Sequence, residues 1–408
     1  MFSSVHTLRR RVNSLVDAIE RQKDVLRNLE RQCSDAQSEL NALLDPMARL
    51  PIEIASDILL QAIPTRPTWD SLLIFLRVCR AWSNLAVATP FLWSTITDSG
   101  IPQAQFATVL EKWLSLARGL PLSLILRNAH PSTFPDTLQT LDAHTPRIQS
   151  MDLSPLHDED LRLMTHTFDG LTSLTIYRSR IPSDLCVELL RRAPNLVELS
   201  FVEVQFHAAS MPRHLTHPTL QHLHFRRPDT YYYSDTAIIQ FLTLPALQSL
   251  FLSRSDITEE ELLDFLARSA PPLRQLHVRL QEDDVCSEAI VASLRLVPEL
   301  THLEVIHPDS EYDYSTFDLW AHDPYLLPAL RNLTIADFYY HGLEGYRRVL
   351  DFLAKRRASL RSLQLIVPGE VLDDATAAAL RVFQDEGMDI HVDTGKEDLF
   401  SMFGMGDD

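Results

Sequence analysis

Glycine and cysteine are scarce in this sequence, and positive charge is outweighed by negative charge. Gly accounts for 10 of 408 residues, and no G-x-G-x-x-G, G-x-x-x-x-G-K-[ST] or G-x-S-x-G motif occurs, so phosphate-cradling loops are not indicated. The four cysteines lie far apart without a C-x-x-C pair, which argues against a disulfide framework or a structural zinc site. Lys and Arg number 37 against 55 Asp and Glu, a net charge of 37 − 55 = −18. This charge disfavours nucleic-acid binding, because phosphate contacts need clustered basic residues.

Long apolar runs are absent as well. The longest stretches, such as residues 72–76, are too short to span a bilayer, so no membrane association is expected. Three arginines at positions 9–11 are not followed by an apolar signal core, which disfavours secretion. Free thiols fit a reducing compartment, and we therefore expect a cytoplasmic or nuclear protein. With 45% apolar and 23% charged residues, the composition is that of a globular protein with a sizeable core.

The most regular periodicity lies in residues 8–44. Apolar positions recur there at alternating spacings of four and three for five heptads, which is typical of a coiled coil. The positions are Leu8, Val12, Leu15, Ile19, Gln22, Leu26, Leu29, Cys33, Ala36, Leu40 and Leu43. We predict a coiled-coil helix over 5–45, ended by Asp45 and Pro46. Its seam could pair with a second copy of the chain or dock on the chain's own body, and the sequence leaves both open.

Residues 46–96 form a second unit, which we predict to be three short helices around a small core. It opens with Leu-Pro-Ile-Glu-Ile at 50–54, and Pro51 suits a first helical position. Its middle reads Leu-Arg-Val-Cys-Arg-Ala-Trp at 76–82, and it closes with Thr-Pro-Phe-Leu-Trp at 89–93. A bundle of about 50 residues rarely stabilises itself alone. We therefore expect it to lean on its neighbours or on a partner.

Together these stretches resemble the F-box family, whose pattern begins Leu-Pro-x-Glu-Ile, continues Val-Cys/Ser-Arg/Lys-x-Trp and ends Pro-x-x-Trp. The resemblance covers residues 50–95. It implies that this unit docks on a Skp adaptor, with Leu50 and Pro51 as the foremost direct contacts and Trp82 partly in the core. The adaptor-binding residues that it implies are Leu50, Pro51, Ile54, Val78, Trp82 and Trp93.

Residues 146–395 contain the repeat L-x-x-L-x-L. Its copies begin 23 to 30 residues apart, at Ile148, Leu171, Leu196, Leu220, Leu247, Leu273, Leu300, Leu330 and Leu360. This period matches leucine-rich repeats, in which each strand and its helix stack on the next unit. No Asn occupies the usual place after the strand, so the predicted fold is an irregular leucine-rich-repeat α/β solenoid, or horseshoe. A linker helix and first strand are predicted over 97–145, and an acidic tail over 396–408.

The residues that flank the repeat leucines are expected on the concave face of this solenoid. They are rich in His and Arg around one aromatic residue. The candidate substrate-binding residues are His222, His224, Arg226, Phe251, His277, Arg279 and Glu304. One interpretation is capture of an acidic or phosphorylated degradation signal. The other is a solvated sheet face without a ligand.

Two further clusters have simpler interpretations. Four histidines lie close in sequence, at 214, 217, 222 and 224, but no Cys or carboxylate adjoins them to complete a metal site. Segment 308–324 mixes five acidic residues with aromatic ones. It could be a partner-binding loop, or an insertion that Phe317 and Trp320 fix against the solenoid.

No arrangement of residues indicates catalysis, so we expect neither an enzyme nor a cofactor. The F-box resemblance implies a substrate-recognition subunit of an SCF-type cullin–RING E3 ubiquitin ligase, in which the repeats bind the substrate. Its partners would be the Skp adaptor with the cullin complex and an unknown protein substrate, with a homodimer through residues 8–44 left open. The alternative is a non-ligase interaction scaffold built from the same modules. A more distant one is a hydrolase with its site on the concave face.

Overall fold

The structure is a computed structural model that describes residues 2–127, 134–207, 213–226, 237–252, 257–279, 288–306, 315–323, 325–336, 342–366 and 374–393. These ranges contain thirteen α-helices, four short 3-10 helices and sixteen strands. The predicted mixed α/β class is therefore confirmed. None of the helices in these ranges combines the length and the apolar character that a bilayer crossing requires.

The helices are short except for the first. They are α1 Phe2–Leu44, α2 Ile52–Ala62, α3 Trp69–Val78, α4 Arg80–Ala88, α5 Gln103–Leu116, α6 Phe134–Leu141, α7 Asp158–Leu163, α8 Ser183–Arg191, α9 Glu259–Ser269, α10 Glu288–Arg295, α11 Ser315–His322, α12 Gly342–Arg356 and α13 Asp374–Asp385. The 3-10 helices are Pro46–Arg49, Pro90–Trp93, Asp142–Arg147 and Ala237–Phe241.

The strands are two to six residues long. They are β1 Thr95–Thr97, β2 Leu122–Leu126, β3 Ile148–Leu153, β4 Ser173–Tyr177, β5 Arg180–Pro182, β6 Glu198–Val202, β7 Gln205–His207, β8 Leu215–Thr216, β9 His222–Arg226, β10 Leu242–Thr243, β11 Ser249–Leu252, β12 Gln275–Arg279, β13 His302–Ile306, β14 Asn332–Ala336, β15 Ser362–Ile366 and β16 Asp389–Asp393.

The chain divides into two compact units. One comprises Met1–Ile101 and Thr108–Leu120, and the other comprises Pro102–Ala107 and Pro121–Asp408. We call them the helical unit and the sheet unit. Helix α5 contributes residues to both.

The helical unit begins with α1, which runs without interruption for 43 residues, so the predicted N-terminal helix is confirmed. Asp45 ends it and starts the next turn, because its Oδ1 accepts a hydrogen bond of 2.9 Å from the backbone N–H of Met47. The Cys79 thiol donates to Oδ2 of Asp45 at 3.3 Å, and Arg80 pairs with Asp35 at 2.9 Å. These contacts join the C-terminal part of α1 to the start of α4.

Helices α2 and α3 both contact α4, and together they bury a small core. Trp69 stands at its centre, with ring centroids 6.1 Å from Trp93 and 5.1 Å from Trp113. The Pro-rich loop before α3 ends at Thr68, whose hydroxyl accepts from the Ser71 N–H and caps the helix. These three aromatic rings contribute large apolar area to this small core.

The sheet unit is organised around one large open sheet. Within this unit the order of its strands is β2-β3-β4-β6-β9-β11-β12-β13-β14-β15-β16, and two-stranded sheets are formed by β5 with β7 and by β8 with β10. From β2 onwards neighbouring strands of the large sheet are parallel. Equivalent repeat positions lie side by side; Leu250, for example, pairs with Leu223 and Leu276.

The repeat leucines form the core of this unit. All nine first positions, from Ile148 to Leu360, are buried, as are the strand leucines that follow them. Between strands, α9 begins with a capping box in which the Thr258 hydroxyl accepts from the Glu261 N–H and the Glu261 carboxylate accepts from the Thr258 N–H. Parallel strands alternating with helices bury a continuous row of leucines, which no single repeat can do alone.

Of segment 308–324, the structure describes residues 315–323. Phe317 and Trp320 are buried in α11, with ring centroids 5.9 and 6.3 Å from Phe352 of α12. These rings fix the segment against its neighbour, in agreement with the second interpretation. Residues 308–314, the tyrosines at 231–233 and the predicted tail 396–408 lie outside the described residues.

Candidate functional site

The helical unit exposes an unusual number of large apolar side chains. Its small helices bury Ala55, Leu59, Leu72 and Phe75, yet a second set of apolar residues faces solvent. The exposed set is Leu50, Ile52, Ile54, Ile58, Ile74, Val78, Val87 and Phe91. An apolar helix face without a partner on its own chain marks an interaction site.

The spacing of these residues explains how they form faces. Ile54 and Ile58 lie four residues apart on α2, and Ile74 and Val78 lie four apart on α3. Residues with this spacing share one face of a helix. Each helix is thus apolar on two faces, one turned to the core and one left open.

The residues implied by the family resemblance separate into surface and core. Leu50, Pro51, Ile54 and Val78 are exposed, and Leu50 retains 39% of its accessible surface. Trp82 is half-buried and stacks on Phe75 at 6.1 Å. Trp93, by contrast, is fully buried.

The Nε1–H of Trp93 donates to the Ala86 carbonyl at 2.8 Å. Trp93 therefore holds the unit together from inside and offers no surface to a partner. Ile58, Ile74 and Phe91 are exposed apolar residues that the motif positions do not include. Helical spacing from Ile54 and from Val78 points to the first two.

A second candidate site lies on the large sheet, on the face opposite the buried leucines. The in-register strands place His224, Phe251, His277 and Glu304 side by side, each on the next strand. We call these four residues the central row. The ring centroids of His224 and Phe251 are 6.0 Å apart, and Phe251 stacks on His277 at 3.7 Å with planes inclined by 20°.

The central row ends in a His–carboxylate contact. Nδ1 of His277 lies 2.7 Å from Oε2 of Glu304, at ion-pair distance but not aligned as a hydrogen bond. His277 is only 6% exposed, and its Nε2 has no hydrogen-bond partner among the described residues. Burial of a ring nitrogen that none of the described residues bonds carries a desolvation cost.

The charge of this face is smaller than its count of histidines suggests. Burial lowers the pKa of His224 to about 4, and repulsion from Arg226, His222 and His277 adds to the shift. His224 is therefore neutral at pH 7. Arg226 lies over Phe251, with its guanidinium carbon 5.9 Å from the ring centroid, and supplies a permanent positive charge beside the row.

The structure thus brings together six of the seven predicted concave-face residues. His222 lies beside His224, with centroids 6.4 Å apart, and Arg226 follows on the same strand. The side chain of Arg279 lies outside the described residues. The row could be found from sequence because the repeat sets the register, whereas the stacking of Phe251 on His277 required coordinates.

The histidine cluster does not assemble a metal site among the described residues. His217 is buried, and its Nε2–H donates to the Ala193 carbonyl at 2.9 Å. Burial lowers the pKa of His217, while this hydrogen bond opposes the shift. Its role is to tie one repeat to the one before it.

The comparisons with known proteins add no assignment. No model of a known protein family matches the chain, and no curated protein matches it.

Proposed function

We propose that this chain is the substrate-recognition subunit of an SCF-type cullin–RING ubiquitin ligase. In this proposal residues 46–96 are an F-box that binds a Skp adaptor, and the repeats over 146–395 are a leucine-rich-repeat solenoid that binds a protein substrate. The observation that supports it most is the exposure of Leu50, Ile54 and Val78 at positions of the motif, above a core that does not need them. Such a role would place the protein in the cytoplasm or the nucleus.

The exposed side chains are of the apolar type that stabilises an interface when it is buried. Fully burying one Leu, Ile or Val gains about 1.5–3 kcal/mol relative to leaving it exposed. Several such residues on α2, on α3 and before α2 would act as the anchors on which most interface energy depends. An adaptor with an apolar groove is the partner that this surface fits.

The central row supports the second half of the proposal. Phe251 offers an apolar ring, and Arg226 supplies a positive charge within 6 Å of that ring. We infer a substrate segment with an apolar group over Phe251 and an acidic group near Arg226. The acidic preference would depend on Arg226 and not on His224, because His224 is neutral at pH 7.

The decisive experiment is co-purification of the chain with its cognate Skp adaptor, in parallel with the double variant Leu50→Ala/Pro51→Ala. Both positions are exposed, and an alanine at 51 keeps the carbonyl that accepts from the Ala55 N–H, so the helix is expected to persist. We expect the parent to bind and the variant to lose binding at least about tenfold. Gln61→Ala, at an exposed polar position of the same helix, is the matched control and should bind like the parent.

A folded parent chain that fails to bind any Skp adaptor would refute the ligase role. The non-ligase scaffold would then be the better account of the same modules. Circular dichroism of each protein separates loss of binding from loss of folding.

A second pair of variants tests whether the two sites bind different partners, the adaptor and the substrate. Phe251→Ser should keep adaptor binding and change the set of ubiquitinated proteins that depends on this chain. Leu50→Ala/Pro51→Ala should lose the adaptor and keep the substrates bound. If Phe251→Ser leaves the substrate set unchanged, the central row is a solvated face and not the recognition surface.

A further inference from the structure

Helix α1 exposes an apolar seam along its length. The seam positions with described side chains are all exposed, and they are Leu15, Ile19, Gln22, Leu26, Leu29, Cys33, Ala36 and Leu40. The large ones keep 53–57% of their accessible surface. The described contacts of α1 with the rest of its unit involve Asp35 and the cap residue Asp45, at its C-terminal end. The seam positions with described side chains are therefore not docked on the chain's own body.

We propose that α1 pairs with α1 of a second copy of this chain as a parallel, in-register, two-stranded coiled coil. The spacing assigns heptad position a to Val12, Ile19, Leu26, Cys33 and Leu40. It assigns position d to Leu8, Leu15, Gln22, Leu29, Ala36 and Leu43. β-Branched residues at a with leucines at d select two parallel strands. Val12 and Leu15 of the first complete heptad follow this rule, and the second heptad has the β-branched Ile19 at a with Gln22 at d.

Gln22 selects the parallel orientation independently. In a parallel in-register pair each d residue faces its own copy, so the two Gln22 amides meet and can hydrogen-bond to each other. In an antiparallel pair a positions face d positions, and no a residue of this seam carries an amide. A buried amide without a partner is costly, and one polar seam residue is a known way to fix register.

The flanking positions are compatible with this pairing. In the parallel pair each g residue faces the e residue five positions further along the other chain. The facing pairs are Arg11 with Val16, Ala18 with Lys23, Val25 with Glu30 and Gln32 with Gln37. No like charges face each other, and the exposed Val16 and Val25 widen the apolar strip.

The area is sufficient for a stable dimer. The seam from Leu8 to Leu43 is about 54 Å long at 1.5 Å per residue, and a contact strip about 10 Å wide covers roughly 540 Å² on each chain. The total of roughly 1,100 Å² reaches the 1,000 Å² or so that a specific interface needs.

Solution mass tests the pairing, and it does so without reference to adaptor binding. By light scattering the full chain at micromolar concentration should have twice its mass of 46.5 kDa. Leu26→Glu places two carboxylates in the seam and should raise the dimer dissociation constant by about a hundredfold or more. Asn28→Glu, at an exposed position outside the seam, is the matched control and should remain dimeric. A monomeric parent chain, or equal masses for the two variants, would overturn the proposal.

Oxidative cross-linking tests the orientation. In the parallel pair the two Cys33 residues meet at an a layer, so mild oxidation should convert the dimer to a covalent dimer on a non-reducing gel. Cys33→Ser should abolish this product and keep the dimeric mass, whereas Cys79→Ser should leave the product unchanged. A chain that is dimeric by mass but gives no Cys33-dependent product would be antiparallel or out of register, contrary to the proposal.

Discussion

The helical unit and the sheet unit distribute their apolar side chains in opposite ways. In the sheet unit the repeat leucines are buried, and the outer face of the strands is mainly polar, with Phe251, Val202 and Ile306 among its apolar residues. In the helical unit the core is small, and apolar residues such as Ile54 and Ile74 remain exposed. The sheet unit buries its apolar surface by repetition, because each repeat covers the next. The helical unit is too small to do so and has more apolar surface than it can cover.

This difference indicates two kinds of recognition. An apolar surface that is open before binding gains affinity by removing water, and its specificity comes from shape. The central row offers few apolar atoms and several hydrogen-bonding groups, which favours a ligand of matching polarity and charge. The proposed adaptor and substrate sites thus differ in physical character as well as in location.

The largest expected effect separates core from surface within the helical unit. Trp93→Ala should lower the free energy of unfolding by about 3–5 kcal/mol, because the ring is fully buried and its N–H loses the Ala86 carbonyl. Phe91→Ala, two residues earlier and 61% exposed, should change it by less than about 0.5 kcal/mol. Urea unfolding followed by tryptophan fluorescence measures both. Similar losses for the two variants would contradict the assignment of Phe91 to an open surface.

A smaller effect concerns the outer face of the sheet unit. The pKa of His224 is about 4 in the folded chain, against 6.5 for an unperturbed histidine. Above pH 6.5 the ring is neutral in both states, and its contribution to stability is complete. As the pH falls from 6.5 to 4, the unfolded chain binds a proton that the folded chain does not, so the free energy of unfolding decreases. The decrease attributable to this residue is on the order of 2–3 kcal/mol.

The measurement is urea unfolding at several pH values, followed by far-ultraviolet circular dichroism. His224→Gln, which cannot take up a proton, should show a weaker dependence on pH between 6.5 and 4. His214→Gln, the same change at an exposed histidine, should follow the parent chain. Identical pH profiles for the parent and His224→Gln would mean that His224 titrates alike in both states.

Much of the sheet unit could be predicted because the same short sequence pattern recurs in every repeat, so that one pattern locates all of its main strands. The spacing of the leucines placed the strands from Ile148 onwards. The linker helix predicted within 97–145 corresponds to α5, Gln103–Leu116. The contact between Trp69 and Trp113 could not be predicted. The two residues come from different segments, and no sequence repeat specifies how these segments pack together.

The candidate sites were predictable to different degrees. The register of the repeats put His224, Phe251 and His277 in one row, and the structure has them there. The motif gave the positions of Leu50 and Trp93 but not which of them is exposed. A sequence pattern records the need for an apolar residue, whereas burial depends on how neighbouring helices pack.

Ile74→Ala should have the smallest effect on the free energy of unfolding but a clear effect on adaptor binding. This residue is 58% exposed on α3, on the same face as Val78, four residues further along. Ile74→Ala should change the free energy of unfolding by less than about 0.5 kcal/mol, because alanine favours the helix and the removed atoms touch mostly water. The same change should weaken adaptor binding about tenfold if Ile74 is an anchor beside the motif positions. Isothermal titration with the purified adaptor, with exposed Arg77→Ala on the same helix as the control, measures this. Unchanged affinity for Ile74→Ala would mean that Ile74 lies outside the adaptor interface. The docking surface would then be centred on Leu50, Pro51 and α2.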